Sequence, residues 1–292
     1  MIALILYKKF YRNNALTFDV FLMQLQSLGW YWFLFLPLCS ALNWGLEVRK
    51  WQFLVNKLEP LSFKTAIKSV LSGVAVSQLL PYRTGEYLGR LAYVGDENKI
   101  NAGILSVAGS FSQLLITLVF GLAAFVYIHP LDYPLSFTLS FAGLMILLIL
   151  GYFYMPQFNA LRQLSFFATI RKALHLLTRS DLLRLLTWSG LRYFSFLLPY
   201  ALLAMHFKVG GNNALWYLMT AVSCIYFLQT VSPNFILTDI AIRISVPALV
   251  FSGSFEAVNN MDFMPGMLVY VFNVLLPMLA GAVILLTLKL KR

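Results

Sequence analysis

Three runs of this chain, residues 103–128, 135–155 and 264–288, contain no Asp, Glu, Lys or Arg. Each is longer than the roughly 20 residues that carry a helix across about 30 Å of hydrocarbon. A chain holding three such runs within 292 residues, 60% hydrophobic and 11% charged, with a mean hydropathy of +0.77, cannot present a surface to water. The expected fold is therefore an all-α polytopic membrane protein, a single transmembrane domain over 1–292. The net charge of +11 sits mostly in short segments between apolar runs, as the positive-inside effect requires, and gives no reason to expect a nucleic-acid partner. Cys39 and Cys224 both fall in apolar segments and read as small core residues.

Taken in order, residues 1–7 are apolar but too short to span, and are followed by Lys8, Lys9 and Arg12. They read as the tail of a first helix whose start lies outside the sequence. Residues 16–28 space Phe18, Phe21, Leu22, Leu25 and Leu28 as an amphipathic interfacial helix. The first full span is 29–46, opened by Trp30, Tyr31 and Trp32 and closed by Glu47, Arg49, Lys50 and Trp51. Segment 66–94 is apolar but broken at Pro81. Spans at 103–128 and 135–155 enclose a Lys- and Arg-free turn around Asp132. A basic cytoplasmic loop at 156–183 joins two pseudo-repeats, about 29–155 and 184–292. Beyond it come a span at 185–207 containing Arg192, a second broken segment at 212–250, and a last span ending at Lys289, Lys291 and Arg292.

Counting crossings against the basic loops makes each broken segment begin and end on one side. Segment 66–94 starts and finishes in the cytoplasm, and 212–250 starts and finishes outside. The expectation is about five full spans plus two re-entrant hairpins entering from opposite faces, the inverted-repeat arrangement from which alternating-access sites are built. Of the Lys and Arg residues, 14 fall inside, four outside and four at depth. The C-terminus is expected in the cytoplasm.

The two breaks carry the chemistry. Residues 78–90 read QLLPYRTGEYLGR and place Arg83, Glu86 and Arg90 at membrane depth, where charge is costly. The second break, VSPNFILTDIAIR, repeats an acid four residues before an arginine at Asp239 and Arg243. Pro81 and Pro233 remove backbone donors and open helix ends, with Gly85 next to the first break. Each acid falls one helical turn before its arginine, so both pairs are able to self-neutralise. Arg83 and Arg192 remain as excess guanidinium, suited to bidentate binding of phosphate. Arg83, Glu86, Arg90, Arg192, Asp239 and Arg243 are thus candidate substrate contacts. The alternative is that the pairs only pin the hairpins and Arg192 snorkels to the interface. Gly85 and Gly89 form a GxxxG that reads as close backbone packing. No paired His, nucleotide loop or nucleophile elbow is present, so no metal, cofactor or catalytic residue is expected.

Around these residues the chain resembles the transmembrane region of lysylphosphatidylglycerol synthases and their free-standing relatives, the YbhN-like (UPF0104) membrane proteins. LEVRKWQFLV at 46–55, the first break followed by ILSVAGSFSQLL at 104–115, and SGLRYFSFLLPY at 189–200 followed by TVSPNF carry the likeness. The family's break maps onto Pro81, Gly85, Glu86 and Arg90, and its second onto Pro233 and Arg243. Where many relatives have a Glu-Arg pair after the first break, this chain has Gly109, Ser110, Phe111 and Ser112. The resemblance implies a polytopic protein of the bacterial inner membrane that moves or handles lipids, and the opposed breaks with their surplus arginine make the expectation a lipid flippase or transporter handling an anionic or glycosylated head group. The alternative expectation is a membrane-embedded accessory subunit that presents a lipid to a separate glycosyl- or aminoacyl-transferase. The soluble transferase domain of the synthases has no counterpart here, so the chain is not expected to be an enzyme.

Overall fold

The computed structural model describes residues 18–77, 80, 84–128, 135–157, 165–211, 214–232, 236–252 and 260–289. They form helices, with no strand among them. In chain order these are α1 (Phe18–Gln26), α2 (Trp32–Val55), α3 (Phe63–Ser77), α4 (Gly85–Leu91), α5 (Lys99–Ile128), α6 (Leu135–Tyr154), α7 (Ser165–Leu174), α8 (Arg179–His206), α9 (Leu215–Val231), α10 (Ile236–Ser252), α11 (Asn260–Tyr270) and α12 (Leu276–Lys289).

Three helical stretches among the described residues are long and apolar enough to cross a membrane: Asp96–Ile128, Leu139–Gln157 and Asp262–Thr287. In the most apolar windows of the last two, only 17% of residues are buried by the protein itself. Leu276, Leu279, Val283 and Leu286 recur along one exposed face of α12, an outward stripe with the spacing of a helix in contact with an apolar solvent.

Two expectations about boundaries require correction. The helix of the first span does not end with its apolar run at Leu46. α2 continues to Val55, with Glu47 and Lys50 each only 2% exposed. A charge ends a helix only when it must reach water, and these two are neutralised in place. The basic segment 156–183 is also not all loop. It contains α7 and the first turn of α8, and Ala173, Leu174 and Leu177 are buried.

The chain folds as two compact units. One comprises Met1–Leu42, Phe120–Ile128 and Phe194–Leu276; the other comprises Asn43–Val119, His129–Tyr193 and Pro277–Arg292. α2, α5, α8 and α12 contribute residues to both, α12 through Leu276 alone. In the first unit, Ile244 and Ala248 of α10 pack with Ala241 and Phe263. A Cβ on Gly121 of α5 would lie 2.3 Å from Phe227 Cβ, so α5 and α9 approach closely there.

The α11 to α12 passage in that unit is a π-turn, Val271–Leu275, in which the Leu276 N–H bonds the Val271 carbonyl five residues back. Continuing that pattern requires an N–H at Pro277, which has none. The orphaned Phe272 carbonyl instead accepts from Ser40 Oγ of α2 at 2.8 Å.

The second unit has two apolar clusters. Trp44, Val48, Trp51 and Val55 of α2 meet Val70 and Val74 of α3. Leu54, Leu105, Leu115, Tyr152, Leu177, Leu182 and Leu185 form the other. The charged site lies in this unit.

Candidate functional site

The site begins with backbones brought unusually close. α3 and α4 form a helical hairpin whose arms touch at glycines. A Cβ on Gly89 would lie 2.6 Å from Gly73 Cα, and one on Gly85 would lie 2.2 Å from the Val76 carbonyl oxygen. Any side chain there would force the arms apart. This contact is the close-packing role expected of the GxxxG, and it sets Arg90 against α2.

Arg90 Nη2 donates to Glu47 Oε1 at 2.7 Å and also to Glu86 Oε1 one turn back on α4. Its guanidinium carbon lies 5.6 Å from the centre of the Trp51 ring, within cation–π range. Trp51 Nε1 donates to Ser69 Oγ at 2.8 Å, and Ser69 Oγ donates to the Arg90 carbonyl at 3.0 Å. Backbone and side chain of Arg90 are thereby held from α2, α3 and α4 together.

Glu47 is the hub. Its Oε2 also takes Lys50 Nζ at 2.9 Å and Arg192 Nη1 of α8. Arg192 Nε donates to Asn43 Oδ1 at 2.9 Å, and its guanidinium sits 5.5 Å from the Trp44 ring centre. Lys50 Nζ reaches across to the Gly109 carbonyl of α5 at 3.2 Å. One turn along, Ser112 and Ser189 share a hydrogen bond at 2.8 Å between α5 and α8.

Three cations thus meet two carboxylates. The Glu47, Lys50 and Arg90 side chains are 2–3% exposed, whereas Arg192 is 14% and Glu86 23% exposed. The cluster is sealed at its centre and opens at Arg192 and Glu86. At an effective dielectric of about 20, each 4 Å contact between unit charges is worth roughly 4 kcal/mol. Breaking one buried partner away costs about 3–5 kcal/mol.

The structure therefore gathers Glu86, Arg90 and Arg192 from the sequence-level candidates and adds Glu47, Lys50 and Asn43. Glu47 and Lys50 went unread because hydropathy closes the first span at its first charge, and Asn43 because it carries no charge to stand out within the span. A signal was present. Asn43, Glu47, Lys50 and Leu54 recur at the four-, three- and four-residue steps of one helix face, interleaved with Trp44 and Trp51.

Arg243 belongs to the other unit, where its guanidinium stacks 4.3 Å from the Tyr270 ring centre. Asp239 falls on α10, but its side chain lies outside the described residues, as do Pro81, Arg83 and Pro233. Gly85 is the first residue of α4. Cys39 and Cys224 are free thiols, the latter buried. Among the described residues no three His, Cys, Asp or Glu converge as a metal site.

Fold and site together define an all-helical protein with helices of membrane-spanning length and a buried, cation-rich ion cluster. The chain matches no protein-family model, no curated protein and no solved structure.

Proposed function

We propose that this is a multi-pass inner-membrane lipid transporter of flippase type, with the Glu47 cluster as its site for an anionic head group. The observation that carries the reading is the excess of cation over carboxylate in a buried cluster that opens at Arg192. A phosphate arriving there finds a guanidinium fork whose present partner, Glu47, is already shared with Arg90 and Lys50. Phosphate competes for such a fork with bidentate geometry. The glycine-contacted α3–α4 hairpin supplies the short arms of a re-entrant element, and α9 and α10 supply the opposed pair. In this reading the five full spans are α2, α5, α6, α8 and the α11–α12 helix, and the C-terminus is cytoplasmic.

Lipid that co-purifies with the protein in mild detergent, identified by mass spectrometry, tests the reading. Anionic phospholipid enriched over its share of the membrane, with the enrichment lost in Arg192→Ala, is the expected result. Co-purifying lipid that mirrors the bulk membrane in both proteins would refute it.

A further inference from the structure

One polar side chain beside the cluster has nothing to bond. Gln113 lies on α5, in the run that holds no Asp, Glu, Lys or Arg. The residue is only partly buried, yet both polar atoms of its amide, Oε1 and Nε2, are buried and lack a hydrogen-bond partner. Whatever part of the residue reaches the surface is not the amide, which is turned inward. Among the described residues no other side chain has two polar atoms in that state. A buried amide is costly until something meets both its donor and its acceptor.

The packing of α5 puts this amide at the mouth of the site. Gly109, one turn before Gln113 on the same side of the helix, is where α5 meets α2. Its carbonyl takes Lys50 Nζ at 3.2 Å, and a Cβ there would lie 2.8 Å from Leu54 Cδ1. α8 runs parallel to α5, with Ser189 bonded to Ser112 and Phe194 against Phe120. Arg192, three residues past Ser189, thus stands at the depth of the α5 turn that begins at Gln113. The unpaired amide is level with the open end of the cluster.

Its chemistry selects among head groups. A phosphate oxygen would satisfy Nε2 and leave Oε1 bare, because a carbonyl oxygen only accepts. An ammonium would satisfy Oε1 alone, and would bring a further positive charge to a cluster where three cations already meet two carboxylates. Adjacent hydroxyls meet both needs, one donating to Oε1 and the other accepting from Nε2, and add no charge. We infer that Gln113 determines head-group specificity: with the phosphate held at Arg192, its amide pairs with hydroxyls of the same head group, so the site takes a phosphodiester that ends in a polyol. The inference rests on the head-group reading above and adds to it the class of lipid.

Isothermal titration of the purified protein compares dihexanoyl phosphatidylglycerol with dihexanoyl phosphatidylmethanol, each below its micelle concentration. The two carry the same charge and differ in the hydroxyls. The parent is expected to bind phosphatidylglycerol about tenfold more tightly, the scale of a buried hydrogen-bonding group left unpaired by the wrong ligand. In Gln113→Met, which keeps the length of the side chain without its hydrogen bonds, phosphatidylglycerol falls to the affinity of phosphatidylmethanol, whose own binding is unchanged. Equal affinities in the parent, a comparison that needs no variant, overturn the inference and leave the head-group site standing. A preference that survives in Gln113→Met overturns it likewise. Absence of binding by either lipid overturns both readings.

Discussion

At the residue scale, Glu47 holds the site together. It is the common partner of Lys50, Arg90 and Arg192. Glu47→Gln keeps the shape and strands three cations against the single carboxylate of Glu86. The expected cost is about 3–5 kcal/mol, read as a lower melting temperature of the purified protein in detergent. The double variant Glu47→Gln/Lys50→Met restores the charge difference of the parent and recovers part of the loss; an unchanged melting temperature in the single variant would contradict this account. Glycine contacts give a second residue-scale prediction. Gly89→Ala drives a methyl into the Gly73 backbone and costs about 1–3 kcal/mol. Gly151→Ala meets open space and is neutral or stabilising by up to about 1 kcal/mol. Of the site, Glu86, Arg90 and Arg192 were legible in the sequence because charge in an apolar run is conspicuous. Glu47 and Lys50 were not, because they border the run, and adjacency to a basic segment hides burial.

At the element scale, long uncharged runs were readable to within a few residues. The sequence-level span 135–155 becomes α6, Leu135–Tyr154, and 103–128 becomes the body of α5. Helices that carry charge were mis-bounded, since hydropathy treats every charge as an approach to water. The start of α8 shows what it loses. Thr178 and Asp181 form a reciprocal cap, with the Thr178 N–H donating to Asp181 Oδ2 at 2.9 Å and the Asp181 N–H donating to Thr178 Oγ1 at 3.2 Å. Lys57 Nζ, distant in sequence, adds a bond to the same carboxylate at 2.8 Å. This residue precedes the span that starts at 185. Burial raises its carboxyl, but the bonds from Lys57 and Thr178 outweigh that and hold it below its usual 3.8. A lowered folded-state value means the stabilisation is complete above the ordinary carboxylate range and is lost as pH falls through the folded value. The melting temperature of the parent is therefore expected to fall more steeply than that of Asp181→Asn as pH drops from about 5 to 3. Parallel slopes would remove Asp181 from the acid response.

At the scale of the whole molecule, the broken segments were legible as pairs of short helices: α3 with α4, and α9 with α10. The three-dimensional partition was not. The compact units interleave three stretches of chain each, and a spacing repeated along the sequence carries no information about which stretches pack together. Sidedness is tested with single cysteines in a Cys39→Ala/Cys224→Ala background and a membrane-impermeant thiol reagent on intact cells. A cysteine at Lys208 is expected to be labelled, and cysteines at Lys172 and Arg292 to be protected until the membrane is opened. Labelling of Arg292 from outside would invert the proposed orientation.

The central claim is that a buried cluster centred on Glu47 and open at Arg192 moves anionic head groups. Its most direct test is the transbilayer movement of fluorescent phosphatidylglycerol in liposomes holding the purified protein. The account predicts faster movement than in protein-free vesicles, a return to that background in Arg192→Ala, and intermediate movement in Arg192→Lys, which keeps the charge without the fork. Movement no faster than in protein-free vesicles, or equal rates in the parent and Arg192→Ala, would contradict it.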